Sequence, residues 1–313
     1  MRLHDQKGKR YMSSKNNETI QETGALVNVE ESSQPKIQTL MTGLAFGESP
    51  RWNDERLWFC DWIAQELIAV DIEGTSEVIA RVQSLPFCID WTPDRRLVIT
   101  SGRAILRMEP DGSLVTHADL SSLTDHGWNE IVTDGRGNIF VNGPEFDLMA
   151  GEDFVPGIIA LVGPDGSARR VADGVAFPNG MAVTPDDSML IVAESYGKKL
   201  TAFDIAADGN LSNRRIWADL GDGVPDGICL DNEGAVWYAD VPNKRCVRVR
   251  EGGEVLQTIN LDRGCFSCAL GGKDGTTLFM VAQEWGGPAG MGSGARTGQV
   301  LTIDVPFPST ECR

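Results

Sequence analysis

The sequence predicts an all-β fold: a six-bladed β-propeller with four-stranded blades, closed by pairing of the N- and C-terminal strands. Polar turn residues recur at intervals of 40 to 51 residues, and each precedes a short apolar run. The six turn residues are Asp54, Asp94, Gly135, Asp186, Asn232 and Asp274. Long amphipathic helical windows are absent from the sequence. A repeat of this length built from strand-like segments is typical of a propeller with four strands per blade.

Each repeat contains runs of apolar, β-branched or aromatic residues between turn signals, which is the pattern of strands rather than helices. The run after the polar turn is the most regular, and its six copies are Leu57–Cys60, Leu97–Thr100, Ile139–Asn142, Leu190–Ala193, Val236–Ala239 and Leu278–Val281. A second turn, rich in Asp and Gly, follows at Asp71–Gly74, Pro110–Gly112, Pro164–Gly166 and Asp208–Gly209. The repeat unit is therefore strand, polar turn, strand, turn and strand.

The two ends of the repeat region predict how the ring closes. A strand over Gly298–Asp304 follows the sixth copy, and another over Lys36–Met41 precedes the first. We expect both to complete the same blade, which removes the exposed sheet edges of an open array. Residues 37–313 then form the propeller. Residues 1–36 are polar and lack the apolar core of a signal peptide, so we expect a flexible tail, with a short strand near Ala25–Val29.

Composition and charge exclude several classes of protein. The chain has 28 Lys and Arg against 45 Asp and Glu, a formal net charge of −17, which argues against binding to nucleic acid or to anionic membranes. No stretch approaches the ~20 apolar residues of a membrane span. Seven cysteines, mostly within apolar runs, favour a reduced, cytoplasmic setting. Only three histidines are present, which argues against a His-rich zinc site.

Three oxygen-bearing residues occupy one register of the repeat. Glu48, Asn179 and Asp226 each lie four residues before the apolar residue that leads into the polar turn. Equivalent positions of a closed repeat converge, here where the innermost strands begin at one mouth of the channel. Two carboxylates and an amide oxygen suit Ca²⁺, Mg²⁺ or Mn²⁺, and without a cation the carboxylates would repel each other. The alternative is that Asn179-Gly180 and Asp226-Gly227 are simply turn dipeptides.

The other three repeats carry Phe87, Trp128 and Phe266 at this register. These aromatic residues either pack the channel or form an apolar wall over a bound substrate. Asn129, one position later in its repeat, is a candidate fourth ligand or substrate contact. An insertion over residues 144–156 lengthens the third interval to 51 residues and could cover the channel as a lid.

The segments Gly47–Trp52, Phe177–Met181 and Pro225–Gly227 resemble the motifs of the senescence marker protein/regucalcin/gluconolactonase family, over about residues 41–305. The resemblance implies a six-bladed propeller with one divalent cation in its channel and lactone-hydrolysing activity. It implies that Glu48, Asn179 and Asp226 are metal ligands, that Asp226 is also the general base, and that Asn129 contacts substrate or a metal-bound water.

The chain also departs from the family pattern. Sugar-lactonase members carry an arginine two residues before the Asn129 position, where this chain has Gly127, and an aspartate after it, where this chain has Glu130. The neighbouring aromatic residues, Trp285 included, suggest a more apolar or bulkier substrate than a sugar. The expected substrate-binding residues are Asn129, Trp128, Phe87, Phe266 and Glu130.

The predicted function is therefore a divalent-metal-dependent hydrolase that opens a lactone other than a simple sugar lactone. Ca²⁺ is the preferred cofactor, with Mg²⁺, Mn²⁺ or Zn²⁺ as alternatives, and the only expected partner is a small lactone or ester. Two alternatives remain open: a non-catalytic calcium-binding propeller, and a phosphotriesterase-like hydrolase using the same site. A strictosidine-synthase-like condensing enzyme would leave the metal ligands without a purpose, and no GxSxG motif supports a serine nucleophile. The oligomeric state is left open.

Overall fold

The computed structural model describes residues 36–287, 290–291 and 294–310. These residues form 24 β-strands in six four-stranded antiparallel sheets, which confirms the predicted six-bladed β-propeller. The predicted strand near Ala25–Val29 and nearly all of the predicted tail lie outside the described residues. No helix within the described ranges is long and apolar enough to cross a membrane.

The blades take their strands in chain order, and β1 (Gln38–Leu44) precedes them all. Blade 1 consists of β2 (Gly47–Asn53), β3 (Arg56–Asp61), β4 (Glu66–Val70) and β5 (Ser76–Arg81). Blade 2 consists of β6 (Ile89–Trp91), β7 (Leu97–Ser101), β8 (Ala104–Met108) and β9 (Leu114–Asp119). Blade 3 consists of β10 (Glu130–Thr133), β11 (Ile139–Gly143), β12 (Gly157–Val162) and β13 (Ala168–Val175).

The remaining blades follow the same plan. Blade 4 consists of β14 (Pro178–Val183), β15 (Met189–Glu194), β16 (Lys199–Ile205) and β17 (Leu211–Asp219). Blade 5 consists of β18 (Pro225–Leu230), β19 (Val236–Asp240), β20 (Arg245–Val249) and β21 (Val255–Asn260). Blade 6 contains β22 (Gly264–Gly271), β23 (Thr277–Gln283) and β24 (Gly298–Asp304).

The sixth blade is completed by the N-terminal strand, as predicted. β1 pairs antiparallel with β24, so the sheet order is β1-β24-β23-β22. The first strands of the blades contact their neighbours in turn around the whole ring, from β2 through β6, β10, β14 and β18 to β22 and back to β2. These six inner strands surround the channel. The predicted site residues lie near the start of each inner strand or in the segment just before it.

The core lies between the blades, and this explains the apolar runs of the sequence. The second strand of each blade is covered on both faces by neighbouring blades, so β11 and β19 consist entirely of buried residues. Its largest side chains, including Phe59, Phe140, Trp237 and Phe279, are fully buried. Burial of one such side chain contributes about 1.5–3 kcal/mol. The outermost strands, such as β5 and β21, are mostly exposed, so their sequences are more polar and the repeat is harder to recognise there.

Candidate active site

A cavity of about 530 Å³ opens at the end of the channel where the inner strands begin. Its volume lies within the range of small-molecule binding sites. Five of the predicted site residues line it: Glu48, Asn129, Asn179, Asp226 and Phe266. The propeller thus brings together side chains from five of its six blades at one cavity.

The three predicted metal ligands share one backbone irregularity. In β2, β14 and β18 the regular pairing with the second strand is interrupted, starting at Glu48 in β2 and directly before Asn179 and Asp226 in the other two. Such a bulge re-aims side chains that would otherwise alternate along the strand. Ser49, which follows Glu48, has a left-handed backbone with φ of 49°. The shared register in the sequence therefore corresponds to a shared local geometry in three blades.

The two carboxylates of this set lie in an electrostatically unfavourable place. Burial, together with the charges of Asp226 and Glu130, holds the pKa of Glu48 well above its ordinary value. Burial and the charge of Glu130 likewise raise the pKa of Asp226, although a hydrogen bond from the Asn179 side chain opposes the shift. A nearby cation would favour the charged form of both groups and remove this strain.

The donor set fits a hard divalent cation with oxygen ligands. Within the described ranges, no group of three or more His, Cys, Asp and Glu side chains is arranged to hold a metal, so a site here would need neutral oxygen donors besides the two carboxylates. Asn179 is the amide adjacent to Asp226. Carboxylate and amide oxygens are the ligands that Ca²⁺ takes in proteins, with waters in the remaining positions.

Asn129 stands beside this set on the cavity wall. Its side-chain nitrogen donates a hydrogen bond to the Pro178 carbonyl at 3.2 Å, and its backbone nitrogen donates one to the carbonyl of Asn142 at 2.7 Å. Because the nitrogen end of the amide is engaged, the carbonyl end is the one that can contact a cation, a water or a substrate. The side-chain nitrogen of Asn142 donates a hydrogen bond to the backbone carbonyl of Asn179 at 2.7 Å, which joins blade 3 to the strand of blade 4 that bears Asn179.

Two of the predicted substrate-binding residues lie elsewhere. Phe87 is fully buried with Cys60 and Leu67 in the core between blades 1 and 2, and its carbonyl accepts a 2.6 Å hydrogen bond from the indole of Trp62. Trp128 is fully buried in the core between blades 2 and 3. Neither lines the cavity. The placement favours the packing alternative for both, because each side chain is buried in a core between two blades.

Glu130 also lies away from the cavity wall. Its carboxylate accepts hydrogen bonds from Arg51 at 3.3 Å and from the backbone nitrogen of Ile131 at 2.9 Å. Arg51 crosses from blade 1 and also donates to the Ile131 carbonyl at 2.9 Å. Burial raises the pKa of Glu130 and the Arg51 charge partly offsets the shift. Asn129, just before β10, lines the cavity, whereas Glu130, the first residue of β10, points toward Arg51.

The sequence reasoning missed a set of acidic residues that hold the ligand-bearing strands. Asp61, Glu194 and Asp240 are the last residues of β3, β15 and β19, and all three are buried. Asp61 accepts from the backbone nitrogens of Ala45 and Phe46 at 2.9 Å each.

In blades 4 and 5 the equivalent acids make the equivalent contact. Glu194 accepts from the Ala176 nitrogen at 2.7 Å, and Asp240 from the Val224 nitrogen at 3.4 Å. Each acid therefore fixes the loop that enters the strand bearing Glu48, Asn179 or Asp226. The signal was present in the sequence, since each acid ends the apolar run of its repeat.

Two groups of aromatic residues face each other across the site, and most of them were also missed. The first aromatic wall comprises Phe46, Trp62, Phe266 and Trp285 of blades 1 and 6, with Phe46 stacked on Trp62 at a centroid distance of 5.4 Å. The second aromatic wall comprises Phe146 and Phe177, 5.8 Å apart, with Phe154 and Tyr196 packed behind them. Phe146 belongs to the insertion at residues 144–156, several of whose residues line the cavity.

Comparison with known proteins shows a family match over most of the chain. The family model described as the SMP-30/gluconolactonase/LRE-like region matches residues 46–284. Regucalcin of Danio rerio is 28% identical over 254 residues, which cover 75% of this chain and 82% of that protein. The structure of a calcium-binding protein, regucalcin, from Agrobacterium tumefaciens matches with a TM-score of 0.74 at 18% identity, covering 88% of this chain and 96% of that one. A gluconolactonase from Xanthomonas campestris matches with a TM-score of 0.68 at 24% identity, covering 87% and 90%.

Proposed function

The chain belongs to the SMP-30/gluconolactonase/LRE-like family, and from that premise we propose that it is a divalent-cation-dependent hydrolase that opens a lactone other than a simple sugar lactone. One observation carries the proposal: Glu48, Asn179 and Asp226 lie together on the wall of a cavity large enough for a small molecule. The name of the Xanthomonas campestris gluconolactonase supports lactone chemistry, and the name of the Agrobacterium tumefaciens regucalcin supports calcium as the cation.

The residues have distinct roles in this hydrolysis. A divalent cation held by Glu48, Asn179 and Asp226 would polarise the lactone carbonyl and stabilise negative charge on its oxygen. Asp226 accepts a proton from the attacking water as the water oxygen bonds to the carbonyl carbon. The ring C–O bond then breaks, and Asp226 returns the proton to the leaving alkoxide oxygen, giving the hydroxy acid.

Two features of the chain support Asp226 and Asn129 in these roles. Asp226 lies on the cavity wall beside the Asn179 side chain, which donates a hydrogen bond to it, so its carboxylate is positioned to take a proton from a water in the cavity. Asn129 contributes an amide oxygen at the cavity wall, where it can orient the attacking water or the lactone.

The six cysteines among the described residues form no disulfide, which is consistent with the cytoplasmic setting that we propose together with this activity.

The substitution Asp226→Asn tests the proposed role of the base. The amide keeps an oxygen that can bind a cation but cannot accept the proton, so kcat for lactone opening should fall about 100-fold or more. Calcium affinity, measured by titration calorimetry, should fall about tenfold because one ligand charge is lost, and kcat measured at saturating calcium should show the larger loss. The matched control is Asp173→Asn at an exposed position, which should leave both unchanged. An Asp226→Asn protein with wild-type kcat would overturn the assignment.

The second candidate function is a calcium-binding propeller without catalysis, which is favoured by the regucalcin names of the relatives. The two are separated by assaying alkyl lactones, aryl lactones and phosphotriesters with Ca²⁺, Mg²⁺, Mn²⁺ and Zn²⁺. Calcium binding without turnover of any of these compounds would leave the non-catalytic function. Turnover of phosphotriesters alone would point to the phosphotriesterase-like alternative.

A further inference from the structure

We infer that the substrate is an uncharged lactone whose ring carries a hydrophobic alkyl or aryl substituent, held between the first and second aromatic walls. The inference deepens the proposed function and rests on it for the identity of the reacting group. It depends on the chemistry of the whole cavity wall rather than on the cation-binding residues.

The first aromatic wall is apolar and its rings pack against one another. Phe46 stacks on Trp62 with an interplanar angle of 3° and meets Phe266 edge-on at 4.9 Å. Trp285 packs edge-on against Phe266 at 5.3 Å and remains 36% exposed at the entrance. The Trp62 indole donates to the Phe87 carbonyl at 2.6 Å, so its one polar atom is engaged away from the cavity. This wall therefore offers aromatic surface and almost no hydrogen-bonding capacity to a ligand.

The second aromatic wall lies on blades 3 and 4. Phe177 stacks on Tyr196 at 4.7 Å and contacts Phe146 of the insertion, which is 97% buried. Leu148 and Met149 of the insertion extend this surface, and Met149 is 54% exposed. An exposed methionine beside aromatic rings is an adaptable apolar contact for ligands of varied shape. The apolar surface formed by Leu148 and Met149 is therefore continuous with Phe146 and Phe177 inside the cavity.

The charges of the cavity wall disfavour an anionic substituent. Asp125 and Asp147 lie at the wall in addition to Glu48 and Asp226, and no Lys or Arg of the described residues lines it. A bound divalent cation would balance Glu48 and Asp226, and the exposed Asp125 pairs with Arg103 at 3.2 Å, so the charge of Asp147 remains. A carboxylate or phosphate on the substrate would face this residual negative charge without a cationic partner.

A polyhydroxylated ring is also poorly matched. Apart from the predicted metal ligands, only Asn129, His126 and the two aspartates provide polar side chains at the wall. Hydroxyl groups placed against the aromatic walls would lose their hydrogen bonds to water without replacement, which is unfavourable. An alkyl or aryl group in the same position gains from leaving water. The cavity therefore selects for an apolar substituent on the lactone ring.

A series of γ-lactones with lengthening alkyl side chains tests the inference. Binding is measured by calorimetry on the calcium-loaded Asp226→Asn protein, and kcat/KM on the wild type. Each added methylene should tighten binding and raise kcat/KM about fourfold, the equivalent of transferring one CH₂ out of water, until the chain fills the cavity. Gluconolactone and a γ-lactone with a carboxylate in the side chain should bind more weakly than the alkyl lactone of similar size.

Variants at the entrance show whether the walls are responsible. Trp285→Ala should reduce the gain per methylene to about twofold, because part of the apolar contact is lost. Trp285→Phe should restore most of the gain. Ile216→Ala is the control, since Ile216 is 62% exposed on the outermost strand β17, away from the cavity.

The outcomes separate this inference from the proposed function. Efficient hydrolysis of gluconolactone with no dependence on alkyl chain length would overturn the inference and the exclusion of sugar lactones, and would leave only cation-dependent lactone hydrolysis standing. Chain-length-dependent binding to wild-type protein without turnover would overturn the hydrolase proposal, while supporting a hydrophobic ligand in this cavity. Preference for the carboxylate-bearing lactone would contradict the assigned charge selectivity.

Discussion

The charged forms of Glu48 and Asp226 are unfavourable without a bound cation, because burial and repulsion among neighbouring carboxylates raise both pKa values. Strongly perturbed acids that line a cavity are characteristic of functional sites. Glu130 shows the contrast at the same scale: its burial is partly offset by Arg51 at 3.3 Å, and it lies outside the cavity wall. Glu130 therefore has a cationic partner at hydrogen-bond distance, whereas the proposed partner of Glu48 and Asp226 is a divalent cation.

The substitution Glu48→Gln should separate stability from cation binding. Loss of one carboxylate relieves repulsion, so the melting temperature of the cation-free protein should rise by about 2 °C. Calcium affinity should fall at least about tenfold, because one ligand charge is lost. Calorimetric melting with chelator and with calcium measures both effects, since a bound ligand stabilises the folded state according to its affinity.

The control for this prediction is Glu251→Gln at an exposed position, which should change neither quantity. Unchanged calcium affinity in the Glu48→Gln protein would remove Glu48 from the proposed ligands.

Among the elements, the second strands of the blades hold the inner strands in place. Glu194 ends β15 and is 99% buried; it accepts from Thr201 at 2.5 Å, from the Ala176 nitrogen at 2.7 Å and from Arg214 at 3.0 Å. The neighbouring Phe177 has a left-handed backbone with φ of 57°. Such a conformation is unfavourable for an aromatic residue and persists where the surroundings enforce it. Glu194 therefore positions both the second aromatic wall and the strand that bears Asn179.

We expect Glu194→Gln to destabilise the protein by about 1–3 kcal/mol at neutral pH, because charge-assisted hydrogen bonds are lost. Burial alone would raise the pKa of Glu194, but the hydrogen bonds from Thr201 and Ala176 and the charges of Lys199 and Arg214 lower it below 4.5. An acid with a lowered folded-state pKa stabilises fully above its unfolded pKa and loses this contribution as pH falls through the folded pKa.

The difference in unfolding free energy between wild type and Glu194→Gln should therefore shrink below about pH 4.5, the ordinary value for glutamate. Urea unfolding from pH 3 to pH 7 measures it, with the exposed Glu73→Gln as control. A difference that stays constant over this range would show that the charge of Glu194 does not contribute.

For the whole molecule, ring closure depends on a strand that is distant in sequence. β1 pairs with β24 and buries Leu44 against the core of blades 1 and 6, with Leu40 and Met41 partly buried beside it. Without β1, β24 would become an exposed edge, which favours aggregation. Closure also keeps β2 beside β22, and hence Glu48 beside Phe266 at the cavity.

Two truncations test this dependence. Deletion of residues 1–44 removes β1 and should cost several kcal/mol, because burial of each apolar side chain contributes about 1.5–3 kcal/mol. Deletion of residues 1–36 is the control and should leave the melting temperature unchanged if those residues form a tail, as the sequence predicts. Equal melting temperatures for the two truncated proteins would show that closure by β1 does not stabilise the ring.

The fold and part of the candidate site could be predicted from the sequence for one physical reason. In a closed repeat each blade needs the same buried strand between its neighbours, so the apolar runs recur at a readable interval. The same equivalence means that residues at one register approach one point, and this brought Glu48, Asn179 and Asp226 together in the prediction as they are together at the cavity. Pairing of the terminal strands followed from the cost of leaving a sheet edge exposed.

Only the tertiary structure decided which neighbouring side chains face the cavity. Phe87 and Trp128 share the register of the ligands, yet their side chains turn into the cores between blades. Phe46, Trp62 and Phe177 form the walls instead. A side chain's direction depends on local bulges, on left-handed residues and on the packing of the adjacent blade, and none of these follows from an apolar period. The sequence thus determined the ring and its oxygen-rich centre, whereas the packing between blades determined the apolar surface around it.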